Sequence, residues 1–430
     1  NVVDKAIYGS SKLLCKVICI NNLGVKFTYK KQRDLLWEEH LNKFYPCAPI
    51  TPVDSNHPLF MLYTSGSTGK PKGIVHSTAG YLLGVKLSSK IVFDFNNDDI
   101  FWSTADMGWI TGHSYGLYAP LLNHTTVFLY DGALNGPNWE RSWDNIERHK
   151  ITKFYTAPTA LRSFIQDEPE APKKYDLSSL KLLGSVGEIL DESSWHWYFS
   201  VVGKERCPVV NTWWQTETGS IMLSQIPGVS VLSPGAAGVE LPGVSAQVDQ
   251  GSLTITKPWP SMFLGVNNDM KRYEQYWKQG CDFTYLSGDR AAYNQDSGYH
   301  LLGRCDDVLN VSGHRISSGE IEAIISAHKM VVEVAVVGRE HRIKGQVAIA
   351  FVVITKDQED TKTTKDKLKQ YVKENSGSVV VPEEILFLDS LPKTRSGKIM
   401  RRLLKDIACG CKSFGDTSTI ENPAVLDEIM

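Results

Sequence analysis

Short apolar runs alternate with helix-like segments between Leu59 and Ser287, and this alternation limits the folds open to the chain. The segments at 143–149 and 161–165 have the spacing of amphipathic helix faces. Strands and helices in turn are typical of parallel α/β units. The sequence therefore predicts an α/β fold with strands at 101–104, 125–130, 153–156, 180–184 and 209–213.

The residue pattern changes twice after this α/β region. Glycine and proline residues are frequent from 227 to 243, and a strand-like run at 251–256 then predicts a β-rich subdomain. After about residue 303, Ser317-Ser-Gly-Glu320 has the order of a capping box that begins a helix. Strand-like runs at 331–337 and 346–354 and a charged helix at 364–374 complete a predicted α+β domain.

A chain of 430 residues is longer than one hydrophobic core usually holds, so two or three domains are expected. We predict a large domain over residues 1–303, a hinge at 304–307 and a small domain over 308–430.

Composition excludes several function classes. The net charge of -2 provides no basic field for nucleic acid. No apolar run reaches the length of about 20 residues that spans a bilayer. The eight cysteines show no Cys-x-x-Cys pair and no zinc spacing, which favours reduced thiols in the cytoplasm.

The run at 59–73 begins as an apolar strand and ends in Tyr-Thr-Ser-Gly-Ser-Thr-Gly-Lys-Pro-Lys-Gly. Its glycines let the backbone approach an anion, its hydroxyls donate hydrogen bonds, and its two lysines supply positive charge. The spacing is not that of a Walker A loop, because Pro71 follows Lys70. This pattern predicts a phosphate site, and an ordinary solvated loop is the alternative.

Two further turns carry polar groups after strand-like runs. In 211–219, Gln215 could meet a base edge, Thr216 a phosphate oxygen and Glu217 a magnesium ion. In 285–289, Asp289 at the end of a short strand could accept hydrogen bonds from a ribose. Core tryptophans and plain turn residues are the alternatives for these two segments.

Two basic segments lie near and beyond the predicted hinge. Arg304 and Arg315 flank a short strand-turn, and their planar guanidinium groups could grip ribose or phosphate. The loop at 391–398 delivers Lys398, whose charge would suit a leaving phosphate, although a lone lysine is usually a solvated surface residue.

These motifs, in this order over residues 59–402, resemble the signature of the acyl-adenylate-forming enzymes. Within them the chain looks like the AMP-forming acetyl-CoA synthetase family, through the segments at 103–115, 211–219 and 306–315. The resemblance implies a large N-terminal adenylate-forming domain, with stacked α/β subdomains and a β-rich subdomain, and a small mobile α+β C-terminal domain.

The resemblance also implies a reaction with two half-reactions in one pocket. A carboxylate attacks the α-phosphate of Mg²⁺-bound ATP and expels pyrophosphate, and the thiol of coenzyme A then displaces AMP. Carried over by position, the β- and γ-phosphates would be held by Thr64, Ser65, Gly66, Ser67, Thr68, Gly69, Lys70 and Lys72. The adenine would be framed by Gly187, Glu188, Trp213, Trp214 and Gln215.

The remaining roles are carried over in the same way. Asp289 and Arg304 would hold the ribose, Thr216 and Arg315 would reach the α-phosphate, and Glu217 would bind Mg²⁺. Lys398 would stabilise the pentacoordinate phosphorus. Asp306 would be the pivot on which the small domain turns to present Ser312 and Gly313 to the pantetheine arm of coenzyme A.

An acyl pocket formed by Ile110, Thr111, Val186 and Trp214 would admit an acid of two or three carbons, because an indole at its floor leaves little room. Acetate is the implied substrate and propionate is possible. Ile110 stands where the family usually has a valine, which would tighten the pocket.

The chain also departs from the family. It lacks most of the region expected before the phosphate loop, so contacts to the 3′-phosphate of coenzyme A stay open, with Lys373 as one candidate. The segment at 246–251 is shorter than the family's hairpin. Two alternatives remain: a medium-chain or aryl acid-CoA ligase, and a non-catalytic nucleotide-binding protein. Oligomeric state is left open.

Overall fold

The computed structural model describes residues 2–7, 16–22, 24–40, 49–64, 71–280, 283–311, 314–342, 344–355, 358–359, 361–376, 380–394, 399–411, 417, 420, 422 and 425. The chain divides into two compact units, Asn1–Asp54 and Ser55–Met430. The predicted large domain, hinge and small domain would all lie mainly within the second unit, and that finer division stays a prediction.

In chain order the described strands are β1 (Val17–Cys19), β2 (Asp34–Leu36), β3 (Pro58–Thr64), β4 (Lys72–Ser77), β5 (Ile100–Ser103), β6 (Thr126–Phe128), β7 (Lys153–Thr156), β8 (Leu182–Val186), β9 (Val209–Trp213), β10 (Leu223–Ser224), β11 (Ala236–Glu240), β12 (Ala246–Asp249), β13 (Ser252–Ile255), β14 (Gly265–Val266), β15 (Tyr285–Asn294), β16 (Gly298–Arg304), β17 (Val308–Val311), β18 (His314–Ser317), β19 (Val331–His341), β20 (Gly345–Ile354) and β21 (Glu384–Phe387).

The described helices are α1 (Val2–Ile7), α2 (Trp37–His40), α3 (Thr78–Phe93), α4 (Ile110–His113), α5 (Ala119–Leu122), α6 (Arg141–His149), α7 (Pro158–Asp167), α8 (Glu192–Trp197), α9 (Met270–Glu274), α10 (Ser318–Ser326), α11 (Lys362–Ser376) and α12 (Arg401–Ala408). None of them combines the length and the apolar character that a membrane crossing requires.

The first unit is small. Its strands β1 and β2 pair in parallel, with Val17 opposite Asp34. The carboxylate of Asp34 is buried and bonded by the guanidinium of Arg33, which also bonds Asp4 of α1 at 2.8 Å. Charge pairing therefore joins helix and strand within this unit.

A sheet of eleven strands, counted over the described residues, organises the second unit in the order β12-β13-β15-β16-β11-β10-β9-β8-β7-β5-β6. Strands β9, β8, β7, β5 and β6 are parallel to one another. The remaining neighbouring pairs are antiparallel. Every residue of β7, β8 and β9 is buried, as parallel strands covered on both faces require. The predicted parallel α/β region, its two helices and the strand at 251–256 are thus confirmed.

The hairpin of β12 and β13 is closed by Gln250 and Gly251, which both have positive φ angles, of 48° and 80°. Two such residues form the turn whose twist suits antiparallel strands. The segment at 246–251, which is shorter than the family's hairpin, is therefore part of a hairpin with a two-residue turn.

The C-terminal part of the unit contains a second sheet in the order β18-β17-β20-β19, with β21 parallel to β20. Helices α10 and α11 bury Ile321, Ile325, Leu368 and Val372 against it. The predicted strands and helices are confirmed here, but the predicted capping box is wrong. The hydroxyl of Ser317 donates instead to the carbonyl oxygen of Leu302, at 2.6 Å, and so ties α10 to β16.

A buried charge cluster lies where the parallel strands begin. The carboxylate of Asp99 accepts hydrogen bonds from Lys153, from Thr152 at 2.9 Å, from Lys181 at 3.0 Å and from the backbone N–H of Asn96 at 2.9 Å. Burial acts to raise the pKa of Asp99, but the hydrogen bonds from both lysines outweigh it and lower the pKa to about 2.

We expect Asp99→Asn to lower the free energy of unfolding by about 3–5 kcal/mol at pH 7.5, because buried Lys153 loses its counter-charge. Guanidinium unfolding measures this loss, with exposed Asp98→Asn as the matched control. Since the folded-state pKa is depressed, the stabilisation is present above about pH 4 and is lost as the pH falls towards 2. A loss equal to that of the control would contradict the expectation.

Candidate active site

A cleft of about 3410 Å³ opens at the carboxyl ends of β5, β7, β8 and β9, and its far wall includes residues of α10 and β19. Crevices at this end of parallel strands are where α/β proteins commonly bind ligands. The cleft is lined by the candidate residues for the nucleotide and the acid whose side chains are described: Thr64, Lys72, Ile110, Thr111, Val186, Gly187, Glu188, Trp213, Trp214, Gln215, Thr216, Glu217, Asp289 and Arg304. Lys373, the candidate for the 3′-phosphate of coenzyme A, is exposed on α11 and does not line it.

Other candidates lie outside the described residues, and their predicted roles stay predictions. They are Ser65, Gly66, Ser67, Thr68, Gly69, Lys70, Ser312, Gly313 and Lys398. Of Asp306 and Arg315 the structure describes only the backbone, in the 3₁₀ turn Cys305–Asp307 and in β18.

The strands that flank the predicted phosphate loop form an antiparallel pair. Thr64 at the end of β3 lies opposite Lys72 at the start of β4. The hydroxyl of Thr64 is buried and has no hydrogen-bond partner among the described residues. The paired ends of β3 and β4 therefore lie beside the cleft.

Lys72 and Glu217 form an ion pair in the cleft, with 2.7 Å between Nζ and Oε1. The hydroxyl of Tyr276 donates to the same oxygen at 2.6 Å and accepts a hydrogen bond from Lys72. Burial acts to raise the pKa of Glu217, but the charge of Lys72 and these hydrogen bonds hold it below its ordinary value. The carboxylate of Glu217 is thus both buried and ionised.

Asp289 is held by three side chains, two from the end of β9 and the turn after it and one from β16. Its Oδ2 accepts hydrogen bonds from the indole of Trp213 at 2.9 Å and from the amide of Gln215 at 2.8 Å, and its Oδ1 accepts one from Arg304 at 2.9 Å. Burial nevertheless raises the pKa of Asp289 above its ordinary value. The expected position at the end of a short strand is wrong, because β15 continues past an irregular register to Asn294.

Both the oxygen and the nitrogen of the Gln215 side-chain amide form hydrogen bonds within the protein. Its oxygen accepts from the hydroxyl of Tyr285 at 2.7 Å, and its nitrogen donates to the carbonyl oxygen of Ser287 and to Asp289, both at 2.8 Å. The amide therefore orients Asp289. Its contact with a base edge stays a prediction.

Glu188 follows β8 and pairs with Arg162 of α7. Its other carboxylate oxygen accepts from the hydroxyl of Thr159 at 2.7 Å. The preceding Gly187 has a φ of +94°, a left-handed conformation that glycine adopts without strain. Glu188 is consequently fixed at the cleft wall by its own partners.

The four residues of the predicted acyl pocket lie together. Ile110 and Val186 are buried in one apolar cluster, and Trp214 packs against that cluster with its ring edge-on to Tyr115 at 5.0 Å. Thr111 follows Ile110 in α4 and also lines the cleft. The indole of Trp214 is therefore held in place by aromatic packing.

The donor groups of the described residues limit how a metal ion could bind. The described residues contain no group of three or more His, Cys, Asp or Glu side chains that could hold an ion. Glu217 could provide one carboxylate ligand to Mg²⁺, which commonly binds one or two carboxylates together with phosphate oxygens of a substrate. The carboxylate of Glu217 therefore fits a Mg²⁺ ion that binds together with the phosphates of a nucleotide.

Sequence reasoning missed Tyr276 and Arg162. Neither residue belongs to a glycine-rich or charged motif, and both reach the site through the fold. The aromatic residues at 273, 276 and 277 gave the only signal, and that pattern is equally typical of a core.

Comparison with known proteins shows two family matches. Residues 9–258 match the model of the AMP-binding enzymes, and residues 320–398 match the C-terminal domain of the AMP-binding enzymes.

Curated relatives match nearly the whole chain. The acetyl-coenzyme A synthetase of Deinococcus radiodurans is 47% identical over 96% of this chain and 65% of its own length. Those of Methylobacillus flagellatus and Pasteurella multocida are 46% and 47% identical, each over 99% of this chain and 68% of its own length. The chain thus spans about two thirds of the length of these relatives.

A solved structure shares the fold. The crystal structure of an anthranilate CoA ligase in complex with anthranoyl-AMP superposes with a TM-score of 0.82, covering 95% of this chain and 76% of that one at 24% identity. The predicted fold class, an adenylate-forming α/β architecture with a C-terminal α+β part, is confirmed.

We expect Lys72→Met to destabilise the fold by about 3–5 kcal/mol at pH 7.5, because it leaves the buried carboxylate of Glu217 without its cation. The ordinary pKa of this glutamate is 4.5, and the variant should raise it, so protonation near pH 4 should remove much of the penalty. Guanidinium unfolding at both pH values measures the difference, with exposed Lys86→Met as the control. A penalty independent of pH would contradict this account.

Proposed function

Because the chain belongs to the acetyl-coenzyme A synthetase family of AMP-binding enzymes, we propose that it activates a short-chain carboxylate with ATP and transfers the acyl group to coenzyme A. A carboxylate oxygen of the acid attacks the α-phosphorus, and the bond to the β-phosphate breaks to release pyrophosphate. The thiolate sulfur then attacks the acyl carbon, and AMP leaves. Acetate is the proposed acid, and propionate is a possible second substrate.

One observation carries this proposal. A single cleft brings together a rigid apolar pocket at Trp214, a buried ionised carboxylate paired with a lysine at Glu217, and an aspartate–arginine pair at Asp289. These groups suit the acid, the phosphates and the ribose of one adenylate.

The ribose end is supported by the bonds of Asp289. With Oδ2 held by Trp213 and Gln215, and Oδ1 by Arg304, the carboxylate cannot rotate freely. A fixed carboxylate can accept a hydrogen bond from a ribose hydroxyl without further ordering. Arg304 completes this end of the proposed site.

The phosphate end is supported by Lys72, Glu217 and Thr216, which all line the cleft. Glu217 would hold Mg²⁺, and the ion would supply charge neutralisation on the phosphates. The main chain of Thr216 is anchored, because its carbonyl oxygen accepts a hydrogen bond from His76 at 2.7 Å. Burial lowers the pKa of His76 to about 4, so its imidazole donates as a neutral group.

The proposal extends to residues whose side chains are not described. Residues 65–70 would hold the β- and γ-phosphates, Arg315 would reach the α-phosphate, and Lys398 would stabilise the charge that develops on phosphorus. Asp306 would be the pivot that brings Ser312 and Gly313 to the pantetheine arm. The reduced cysteines expected from the sequence favour a cytoplasmic setting for this chemistry.

ATP–pyrophosphate exchange with acids of two to eight carbons tests the function. We expect exchange with acetate, weaker exchange with propionate and little beyond four carbons, because the pocket is packed. A preference for longer or aryl acids would replace this proposal with a broader acid-CoA ligase. Nucleotide binding without exchange would favour a non-catalytic nucleotide-binding protein.

We expect Trp214→Gly to shift the preference towards longer acids, because removing the indole opens the floor of the pocket. The ratio of kcat/KM for pentanoate to that for acetate should rise by about tenfold or more, since each added methylene contributes about 1 kcal/mol in an apolar pocket. Trp197→Gly, on α8 outside the cleft lining, is the matched control. An unchanged ratio would show that this indole does not set the acyl length.

A further inference from the structure

Tyr276 contacts both Lys72 and Glu217 in the cleft, although it belongs to no recognised motif. Its hydroxyl donates to Glu217 Oε1 at 2.6 Å and accepts from Lys72. The Lys72 ammonium also lies 4.8 Å from the centre of the Tyr276 ring. Together with the 2.7 Å ion pair, these contacts form a closed triangle of three side chains.

The ring that carries this hydroxyl is fixed by its neighbours. It stacks on Tyr285 with 5.9 Å between ring centres and 7° between planes, and it meets Phe263 edge-on at 5.2 Å. Its backbone carbonyl oxygen accepts from the N–H of Leu286 at 2.8 Å. A hydroxyl on such a ring can hold a carboxylate in one orientation, since little side-chain freedom remains to be lost.

We propose that Tyr276 is a positioning residue, which holds Glu217 in the orientation that receives a divalent cation bound to a nucleotide triphosphate. This inference rests on the proposed function. In that function Lys72 turns to the phosphates, and Glu217 Oε1 then loses one of its two donors. The hydrogen bond from Tyr276 remains and keeps the carboxylate in place.

The test compares Tyr276→Phe with the wild-type chain by titration calorimetry, using Mg²⁺·ATP and, separately, AMP without metal. We expect Mg²⁺·ATP to bind about tenfold more weakly, the usual effect of removing a hydrogen bond to a metal-binding carboxylate. AMP should bind within about twofold of wild type, since the ribose and adenine contacts are unchanged. Tyr273→Phe, which alters a ring packed on the same Phe263, is the matched control.

A double-mutant cycle separates positioning from folding. In a Glu217→Gln background, Tyr276→Phe should not weaken Mg²⁺·ATP binding further, because the residue acts through the carboxylate. This cycle decides the question even if Tyr276→Phe lowers the thermal stability of the chain.

Three outcomes would overturn the inference. These are unchanged Mg²⁺·ATP binding in Tyr276→Phe, equal weakening of Mg²⁺·ATP and AMP, or additive effects of the two substitutions. A wild-type chain that binds neither ligand would instead overturn the proposed function, and the inference would fall with it.

Discussion

The ion pair between Lys72 and Glu217 connects two of the sheets that line the cleft. Lys72 begins β4 of a three-stranded sheet with the order β14-β4-β3. Glu217 lies in the turn after β9 of the eleven-stranded sheet. Because a buried carboxylate needs a nearby cation, the strand pair β3–β4 and this turn must lie together in the folded chain. The pair thus brings the start of β4 to the carboxyl ends of the parallel strands, where the other described candidate groups lie.

A second connection runs through Gln215. Its oxygen binds Tyr285 and its nitrogen binds Asp289, so the turn after β9 is bonded to the antiparallel strand β15. Tyr285 also stacks on Tyr276, which bonds Glu217. The Glu217 end and the Asp289 end of the cleft therefore share one framework of hydrogen bonds and rings. Loss of a whole ring from this framework is expected to affect both ends, because networks of this kind are not additive.

Periodicity and glycine-rich turns predicted the parallel strands and the C-terminal α+β elements, because these are local signals. The grouping of the motif residues was implied by the resemblance to the acyl-adenylate-forming enzymes. It could not predict which partner each polar group would choose. Ser317 bonds Leu302 rather than capping its own helix, and Gln215 orients Asp289. Tyr276 was missed because its partners are 59 and 204 positions away. Such long-range pairings depend on the packed fold, and a single sequence does not contain them in a local pattern.

The charges of the cleft suggest how the proposed site would accept a nucleotide without leaving a buried charge unpaired. Lys72 and Glu217 neutralise each other in the structure. In the proposed reaction a phosphate becomes the partner of Lys72 at the same time as a divalent cation becomes the partner of Glu217. Each buried group exchanges one opposite charge for another, which avoids the cost of isolating either. Entry of the nucleotide and the cation together is therefore favoured over entry of either alone, and the fixed hydroxyl of Tyr276 keeps the carboxylate oriented during the exchange.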